Sequence, residues 1–306
     1  MNLRKHWKGV KSVFINYITL SNDTTASYRY RISIPGNQLM NCRGHIVKVT
    51  NNVLPGADVA IFSKHFDLLD PAKALNAKKI GTKVVYDVCD LHVSENLIEH
   101  YKKMISIADI VTVPTDGMAE MIKKHFERDD AVVIPEPYEY EEVEAEFAPE
   151  NPKCLNLLWY GHATNLKALF DSWGDIQGHR ILILTNPEAL YDINVKAQMW
   201  TPQLMLKSLH KCDIVLVPVE DKENKQIKSA NRMIEAIRRG RFVVASDTPE
   251  HRKFKDFMWI GNIKEGIEWV VSHKDEVVDR IEKAQEYVIR NHSPQKVSMQ
   301  WEEVFA

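Results

Sequence analysis

The stretch Lys225-Gln-Ile-Lys-Ser-Ala-Asn-Arg-Met-Ile-Glu-Ala-Ile-Arg-Arg-Gly-Arg-Phe-Val-Val-Ala-Ser-Asp247 decides the fold. Its middle has the spacing of an amphipathic helix. Met233, Ile234 and Ile237 form the apolar stripe, Ser229 stands where an N-cap belongs, and Gly240 where a helix ends. The run from Phe242 to Ala245 follows at once, short and wholly apolar, as in a buried parallel strand. Lys225, Lys228 and Arg232 crowd the start of the helix, and Glu235 sits one turn further in. Free N–H groups and a positive dipole end already favour anions at a helix start, and added cations strengthen that preference. A carboxylate next to such a place is suited to sugar hydroxyls.

The segment from Lys228 to Arg252, KSANRMIEAIRRGRFVVASDTPEHR, resembles the donor-binding segment of GT-B glycosyltransferases, the GT4-like (group 1) type in particular. In that group a Glu in the context EA-x-x-x-G-x-P-V-V-A-S holds the ribose of a nucleotide-sugar; the matching residue is Glu235. Two positions depart from the pattern. Ile227 stands where the family often has a first Glu, and Phe242 where it has a Pro.

Composition bounds the rest. The chain has 306 residues, enough for two domains with their own cores. Hydrophobic content of 44% and charged content of 27% are those of a soluble globular protein. A net charge of −2 argues against a broad basic nucleic-acid surface, though not against a local basic cleft. Cys42, Cys89, Cys154 and Cys212 are scattered, with no C-x-x-C pair, which suggests reduced thiols in a cytoplasm and no metal signature. No apolar run approaches the roughly 18 residues of a membrane span. The N-terminal residues carry charge with no apolar core before Val10, so no signal peptide is expected.

Read in order, short apolar runs at 12–20, 45–50, 58–63, 83–88, 109–114 and 131–134 alternate with helical stretches near 27–42, 71–79, 95–107 and 116–125. That alternation predicts a doubly wound α/β domain. Pro35 kinks the first helix or marks its start, Gly44 ends it, and Asp116 caps the fourth. Residues 136–152 carry seven glutamates among Pro, Tyr and Ala, and break the rhythm as a linker or solvated crossing segment. The rhythm then restarts, with strands at 155–160, 180–185 and 214–218 and helices at 166–173 and 200–210. Residues 263–290 read as helical, and a last helix follows a break at 291–294. The resulting expectation is two Rossmann-like doubly wound domains facing across a cleft: 1–150 for the acceptor, 151–290 for the nucleotide-sugar donor, and 291–306 as a helix returning to the first. This layout again resembles GT-B.

In doubly wound sheets ligands bind beyond the carboxyl ends of the strands, so polar residues there are the candidates. In the second half, Gly161-His162-Ala163-Thr164-Asn165 allows close approach of backbone to phosphate, although a tight turn without a ligand accounts for it equally well. His162 is a weaker candidate than its neighbours. By resemblance Lys167 binds diphosphate, and Pro218 and Glu220, after the strand beginning at Asp213, border the donor base and ribose. Lys228 and Arg232 are favoured to neutralise the diphosphate, with Ser229 and Asn231 beside them and Lys225 left to solvent. In the first half, Ser27-Tyr-Arg29-Tyr-Arg31-x-x-x-Pro35 resembles an S-x-R-x-R-x-x-x-P stretch of GT4-like sequences. Arg29 and Arg31 are candidates for donor phosphate or an acidic acceptor, with a surface ion-pairing face as the competing reading. Asp87, Asp90 and His92 follow the fourth strand and resemble the family's Asp/His loop; Asp90 and His92 are the catalytic candidates, with Asp87 in support. A two-Asp Mg²⁺ site is the competing reading there. GT-B enzymes usually need no metal, so the resemblance implies no metal and no cofactor beyond the donor.

The function this implies is transfer of a hexosyl or pentosyl group from a nucleoside-diphosphate sugar to an acceptor hydroxyl, with retention at the anomeric carbon. The acceptor is left open: a saccharide, a small molecule, a protein or a modified DNA base. DNA would require a basic cleft, to which Arg4, Lys5, Lys8, Lys11 and the Arg238-Arg239-Arg241 cluster could contribute. A non-catalytic two-domain binding protein and a nucleotide-sugar epimerase are the alternatives.

Overall fold

In the computed structural model, residues 12–91, 95–186 and 197–305 are described, and they divide into two units. His92 and the basic residues at 4, 5, 8 and 11 lie outside the described residues. The first unit extends to Glu139 and takes in the chain again from His292, and the second spans Tyr140–Asn291.

The first unit runs Phe14–Ile18 (β1), Ala26–Tyr28 (α1), a π turn Arg29–Ser33, Ile34–Arg43 (α2), Ile46–Thr50 (β2), Val59–Ser63 (β3), Asp70–Lys79 (α3), Lys83–Asp87 (β4), Glu95–Ile107 (α4), Ile110–Val113 (β5), Asp116–Phe126 (α5) and Val132–Val133 (β6). The strands form one parallel sheet in the order β2-β1-β3-β4-β5-β6. Every residue of β3 is buried, which is why its sequence is a continuous apolar run rather than an alternation. Pro35 falls in the first turn of α2, where its missing N–H costs little, and the π turn precedes it. Gly44 closes α2 in the left-handed conformation, φ 75°. Thr115, not Asp116, caps α5: its hydroxyl accepts from the Met118 N–H at 3.0 Å.

Val297, Trp301 and Val304 of the C-terminal helix, Pro294–Phe305, fill the core with Ile15, Tyr17, Ile32, Leu39, Ile61 and Val85. Against this apolar mass lies a fully buried ion pair. Arg31 Nη2 donates to Asp87 Oδ1 at 2.5 Å, and both side chains are 0% exposed. Ser63 and Thr112 hydroxyls donate to the same carboxylate at 2.7 and 2.8 Å, so no oxygen of Asp87 is left bare. Arg31 also donates to the Ile134 carbonyl and lies 5.1 Å over the Trp301 ring. The carboxylate therefore ties β3, β4 and β5 to the π turn.

The second unit runs Asn156–Tyr160 (β7), a 3₁₀ turn Ala163–Asn165, Leu166–Asp171 (α6), Arg180–Thr185 (β8), Ala197–Met199 (β9), Pro202–Leu209 (α7), Ile214–Val217 (β10), Glu223–Gln226 (α8), Asn231–Arg238 (α9), Phe242–Ala245 (β11), Pro249–Arg252 (α10), Trp259–Ile260 (β12), Ile263–Ser272 (α11) and Lys274–His292 (α12). Its parallel sheet is ordered β12-β11-β10-β7-β8-β9, so the winding reverses between β7 and β10. The amphipathic helix expected from Ser229 to Gly240 is α9, but it starts at Asn231, with Ala230 rather than Ser229 in the cap position and no side-chain cap, and a separate short helix, α8, precedes it. The helical stretch expected over 263–290 breaks at His273 and begins again at Lys274.

The acidic segment differs from a solvated linker. Glu142 pairs with Arg238, and Glu146 with Arg241 at 3.0 Å, while Val143 N–H donates to the Arg238 carbonyl at 2.9 Å. Arg241 further donates to the Leu209 and His210 carbonyls at 2.7 and 2.9 Å. Gly240 has φ 69°, and a Cβ there would collide with the Glu144 carbonyl. The Arg238-Arg239-Arg241 cluster is thus a clamp on 141–146 rather than a basic surface: Arg238 and Arg241 are buried, and Arg239 donates to the Glu141 carbonyl.

Removing one partner of a buried pair leaves an uncompensated charge, at a cost of roughly 3–5 kcal/mol. Asp87→Ala is expected to lower unfolding free energy by about that much in urea titrations followed by circular dichroism. The double substitution Arg31→Met with Asp87→Leu should recover most of it.

Candidate functional site

The carboxyl ends of β7 and β10 flank the reversal of the second sheet, the place where such sheets take ligands. Tyr160 ends β7 and is followed by Gly161. Tyr160 and Arg232 clasp each other through the backbone: the phenol donates to the Arg232 carbonyl at 2.8 Å, and Arg232 Nη1 donates to the Tyr160 carbonyl at 3.3 Å. A Cβ at Gly161 would stand 3.2 Å from that same Nη1 and 3.3 Å from the Trp159 ring, so the glycine makes room for the guanidinium. Burial pushes the Arg232 guanidinium below its usual pKa. It is partly buried and makes no ion pair with any described residue.

Lys225, expected to be solvated, reaches back to the 3₁₀ turn instead. Its ammonium donates to Asn165 Oδ1 at 2.8 Å and to the Thr164 carbonyl at 3.3 Å. Desolvation and then Lys228 depress its pKa, with Lys222 and Arg232 adding to the effect and Glu220 opposing it. The structure therefore gathers Gly161, Asn165, Lys225, Lys228, Arg232 and Glu220 at one edge. Asn231 opens α9 there, and Ser229 precedes it, partly buried. Glu235 is buried in the second turn of α9, and its charge raises the pKa of Tyr160, although burial is the larger cause. The Glu220 side chain is 7% exposed and pairs with Lys222 at 2.6 Å.

Two other candidates stand apart. Lys167 is exposed and paired with Asp171 at 2.6 Å. His162 is exposed and serves the turn, accepting from the Thr164 N–H at 3.3 Å.

His251, which the sequence reading passed over, sits beyond β11. Thr248 caps α10, its hydroxyl accepting from the His251 N–H at 3.2 Å. The imidazole is 3% exposed, and its Nδ1 donates to the Ser246 carbonyl at 2.8 Å. Burial, with Arg232 adding to it, brings its pKa down to about 4. Its signal in the sequence was only its place, six residues past a strand end.

In the first unit, Arg31 is not available to phosphate or acceptor, being taken up by Asp87 in the core. Arg29 pairs with Glu139 at 2.9 Å and donates to the Asp23 carbonyl at 3.0 Å. Asp90 follows β4 and pairs with Lys64, and the Tyr101 phenol donates to its carbonyl at 2.8 Å. Lys64 has φ 51°, an unusual conformation for a lysine, directly after β3. Asp87 and Asp90 are thus each held by a separate cation, which does not fit a shared Mg²⁺ site. Among the described residues no three His, Cys, Asp or Glu side chains converge as a metal-ligand set.

No family model matches the chain. No curated protein matches it by sequence. Solved structures do. A glycosyltransferase from Rickettsia africae ESF-5 has TM-score 0.68 at 12% identity, covering 96% of this chain and 98% of that one. The lipopolysaccharide outer core galactosyltransferase WaaB gives 0.63 at 13%, covering 95% and 98%. S. aureus TarM, solved with Fondaparinux, alpha-GlcNAc-glycerol and UDP, gives 0.56 at 15%; the match covers 81% of this chain and 55% of TarM. Two Rossmann-like parallel sheets with helices are the GT-B architecture, and this chain has it.

His251 has a lowered folded pKa, so its contribution to stability is complete above the unfolded value near 6.5 and is lost as pH falls through about 4. By pH 5 the loss amounts to roughly 2 kcal/mol. Urea titrations from pH 7 to pH 5 should show that loss, and His251→Gln should flatten the slope by the same amount.

Proposed function

We propose that the chain is a glycosyltransferase that moves a sugar from a nucleoside-diphosphate sugar to an acceptor hydroxyl, with the donor held at the β7/β10 edge of the second unit. The observation that carries this reading is Arg232: a partly buried guanidinium, depressed in pKa by its own burial, without a carboxylate partner among the described residues. Such a group is stabilised by an arriving anion, and a guanidinium fork suits phosphate oxygens. Lys228 adds charge from the segment leading into α9, and the bare first turn of α9 adds N–H groups. Lys225 fixes the Gly161–Asn165 turn and supplements the field. In this reading the donor's diphosphate, becoming more negative as the glycosidic bond breaks, meets cations that are already in place.

Glu235 takes the ribose hydroxyls, as its position in the resemblance implies, and Glu220 and Asn165 border the nucleoside. On the first unit, Asp90 is the acceptor-side carboxylate, held by Lys64, with His92 beside it in sequence and Arg29 at the margin. Transfer with retention and without a metal ion belongs to the same reading, since the cations named here supply the charge that a metal otherwise would. The likeness to WaaB, a lipopolysaccharide outer core galactosyltransferase, and to TarM favours a saccharide or other hydroxyl acceptor. A DNA base is disfavoured by the use of Arg238 and Arg241 as an internal clamp. Four cysteines without a disulfide suit the cytoplasm.

Thermal-shift titration with UDP, GDP, ADP and CDP tests this. At least one should raise the melting temperature, and Arg232→Ala should weaken its binding tenfold or more, the loss of about 1.5–3 kcal/mol typical of a charged hydrogen bond. Slow hydrolysis of the matching nucleotide-sugar would separate a transferase from a mere binding protein. Absence of stabilisation by all four nucleotides would contradict the proposal.

A further inference from the structure

Two buried anchors hold the residues on either side of Lys64. The Ser63 hydroxyl donates to Asp87 Oδ2 at 2.7 Å, and His65 Nδ1 meets Asp70 Oδ2 at the same distance. A carboxylate only accepts, so the proton of the second contact lies on Nδ1. All four side chains are buried, with His65 1% exposed and Asp70 0%. Lys64 stands between the anchors at φ 51°, a left-handed conformation that a lysine keeps only where its surroundings enforce it. From there its ammonium reaches Asp90, beyond the end of β4.

The Asp70 carboxylate is the hub of the second anchor. It also accepts from the Asp67 N–H at 3.0 Å, which closes the loop between β3 and α3 on itself. α4 packs over the same loop. The Phe66 ring lies edge-on, 5.7 Å from the rings of His100 and Tyr101, and the Tyr101 phenol donates to the Asp90 carbonyl at 2.8 Å. Asp90 is thus reached from this loop twice, by Lys64 at its carboxylate and through Phe66 and Tyr101 at its backbone. Stability alone would not choose this arrangement. Asp70 Oδ1, His65 Nε2 and His100 Nε2 are buried without a hydrogen-bond partner among the described residues, and the Lys73 ammonium and His100 Nε2 each stand 3.8 Å from the Asp70 carboxylate. An apolar filling of the same volume would avoid a buried charge and three bare polar atoms.

We propose that Asp70 and His65 are positioning residues for Asp90: the tie between them fixes Lys64, and Lys64 aims the carboxylate. This rests on the reading of Asp90 as the acceptor-side carboxylate. Neither His65 nor Asp70 touches a substrate, and their effect on turnover passes through Lys64.

Cys89, next to Asp90, is a reporter that needs no substrate. It is partly buried, and burial pushes its thiol pKa up, so it reacts slowly while the loop is held. In the full chain, His65→Leu combined with Asp70→Asn removes the tie and the buried charge but leaves an acceptor for the Asp67 N–H. Alkylation of Cys89 by iodoacetamide, followed by peptide mass spectrometry, should then run about fivefold faster or more, with the melting temperature unchanged or raised. Hydrolysis of the nucleotide-sugar whose diphosphate binds best should slow about tenfold, as a displaced carboxylate would cause, while that diphosphate, held by the second unit, binds as before. His65→Asn, which keeps a donor where Nδ1 stands, should show nearly wild-type alkylation and hydrolysis. If the double variant does not fold, Asp70→Asn alone is read in the same way. Wild-type alkylation in the folded variant overturns this role. Faster alkylation with unchanged hydrolysis also overturns it, leaving only loop stability. A wild type that binds no nucleotide overturns the transferase reading beneath it, whatever the alkylation shows.

Discussion

A guanidinium lodged between a glycine and a backbone carbonyl, without a carboxylate to answer it, is the constraint around which the second unit is arranged. Arg232 is held by what surrounds it. Its own carbonyl is bound by Tyr160, its Nη1 by the Tyr160 backbone, and Gly161 leaves the space it fills. Each of these lies at the carboxyl end of β7, where the winding of the sheet reverses. The parallel sheet therefore does more than support the site. It brings the end of β7 and the start of α9 together although some seventy residues separate them in sequence.

The basic residues of this unit divide into two kinds with opposite roles. Arg238 and Arg241, at the far end of α9 and just after it, are matched by Glu142 and Glu146 and by backbone carbonyls, and so fasten the acidic segment. Lys225 and Arg232, at the near end, have backbone or amide oxygens as partners and depressed pKa values. One short helix thus separates cations paired with carboxylates from cations that have only backbone or amide oxygens as partners. The first unit divides its cations by place instead: Arg31 is neutralised inside the core, whereas Lys64, in a left-handed conformation at a strand end, holds Asp90 at the edge. In both units the groups suited to ligands follow the strands and the structural pairs lie beneath them.

Much of this was legible in the sequence where a local signal is also the physical cause. Continuous apolar runs gave the buried parallel strands, and Gly44 and Gly240 marked turns that need positive φ. The two-sheet architecture followed from the alternation together with its interruption by the acidic segment at 136–152. Charge was less readable, because the same residue type serves both purposes. Arg31 sits in an apolar neighbourhood that only tertiary packing creates, and its partner Asp87 is 56 residues away. Lys225 looked solvated because its oxygen partners lie 60 residues upstream. Ser229 looked like the cap of α9, yet Ala230 takes that position with no side-chain cap, and Ile227 and Ala230 are buried in the turn between α8 and α9. His251 was missed because its significance comes from the Ser246 carbonyl and from Arg232, neither of which a single His in a polar loop reveals.

The most direct measurement is a crystal structure of the chain with the nucleoside diphosphate that stabilises it best. The account predicts a phosphate oxygen within hydrogen-bond distance of the Arg232 guanidinium, at the start of α9. A diphosphate bound elsewhere, with Arg232 still facing only the Tyr160 carbonyl, would contradict it.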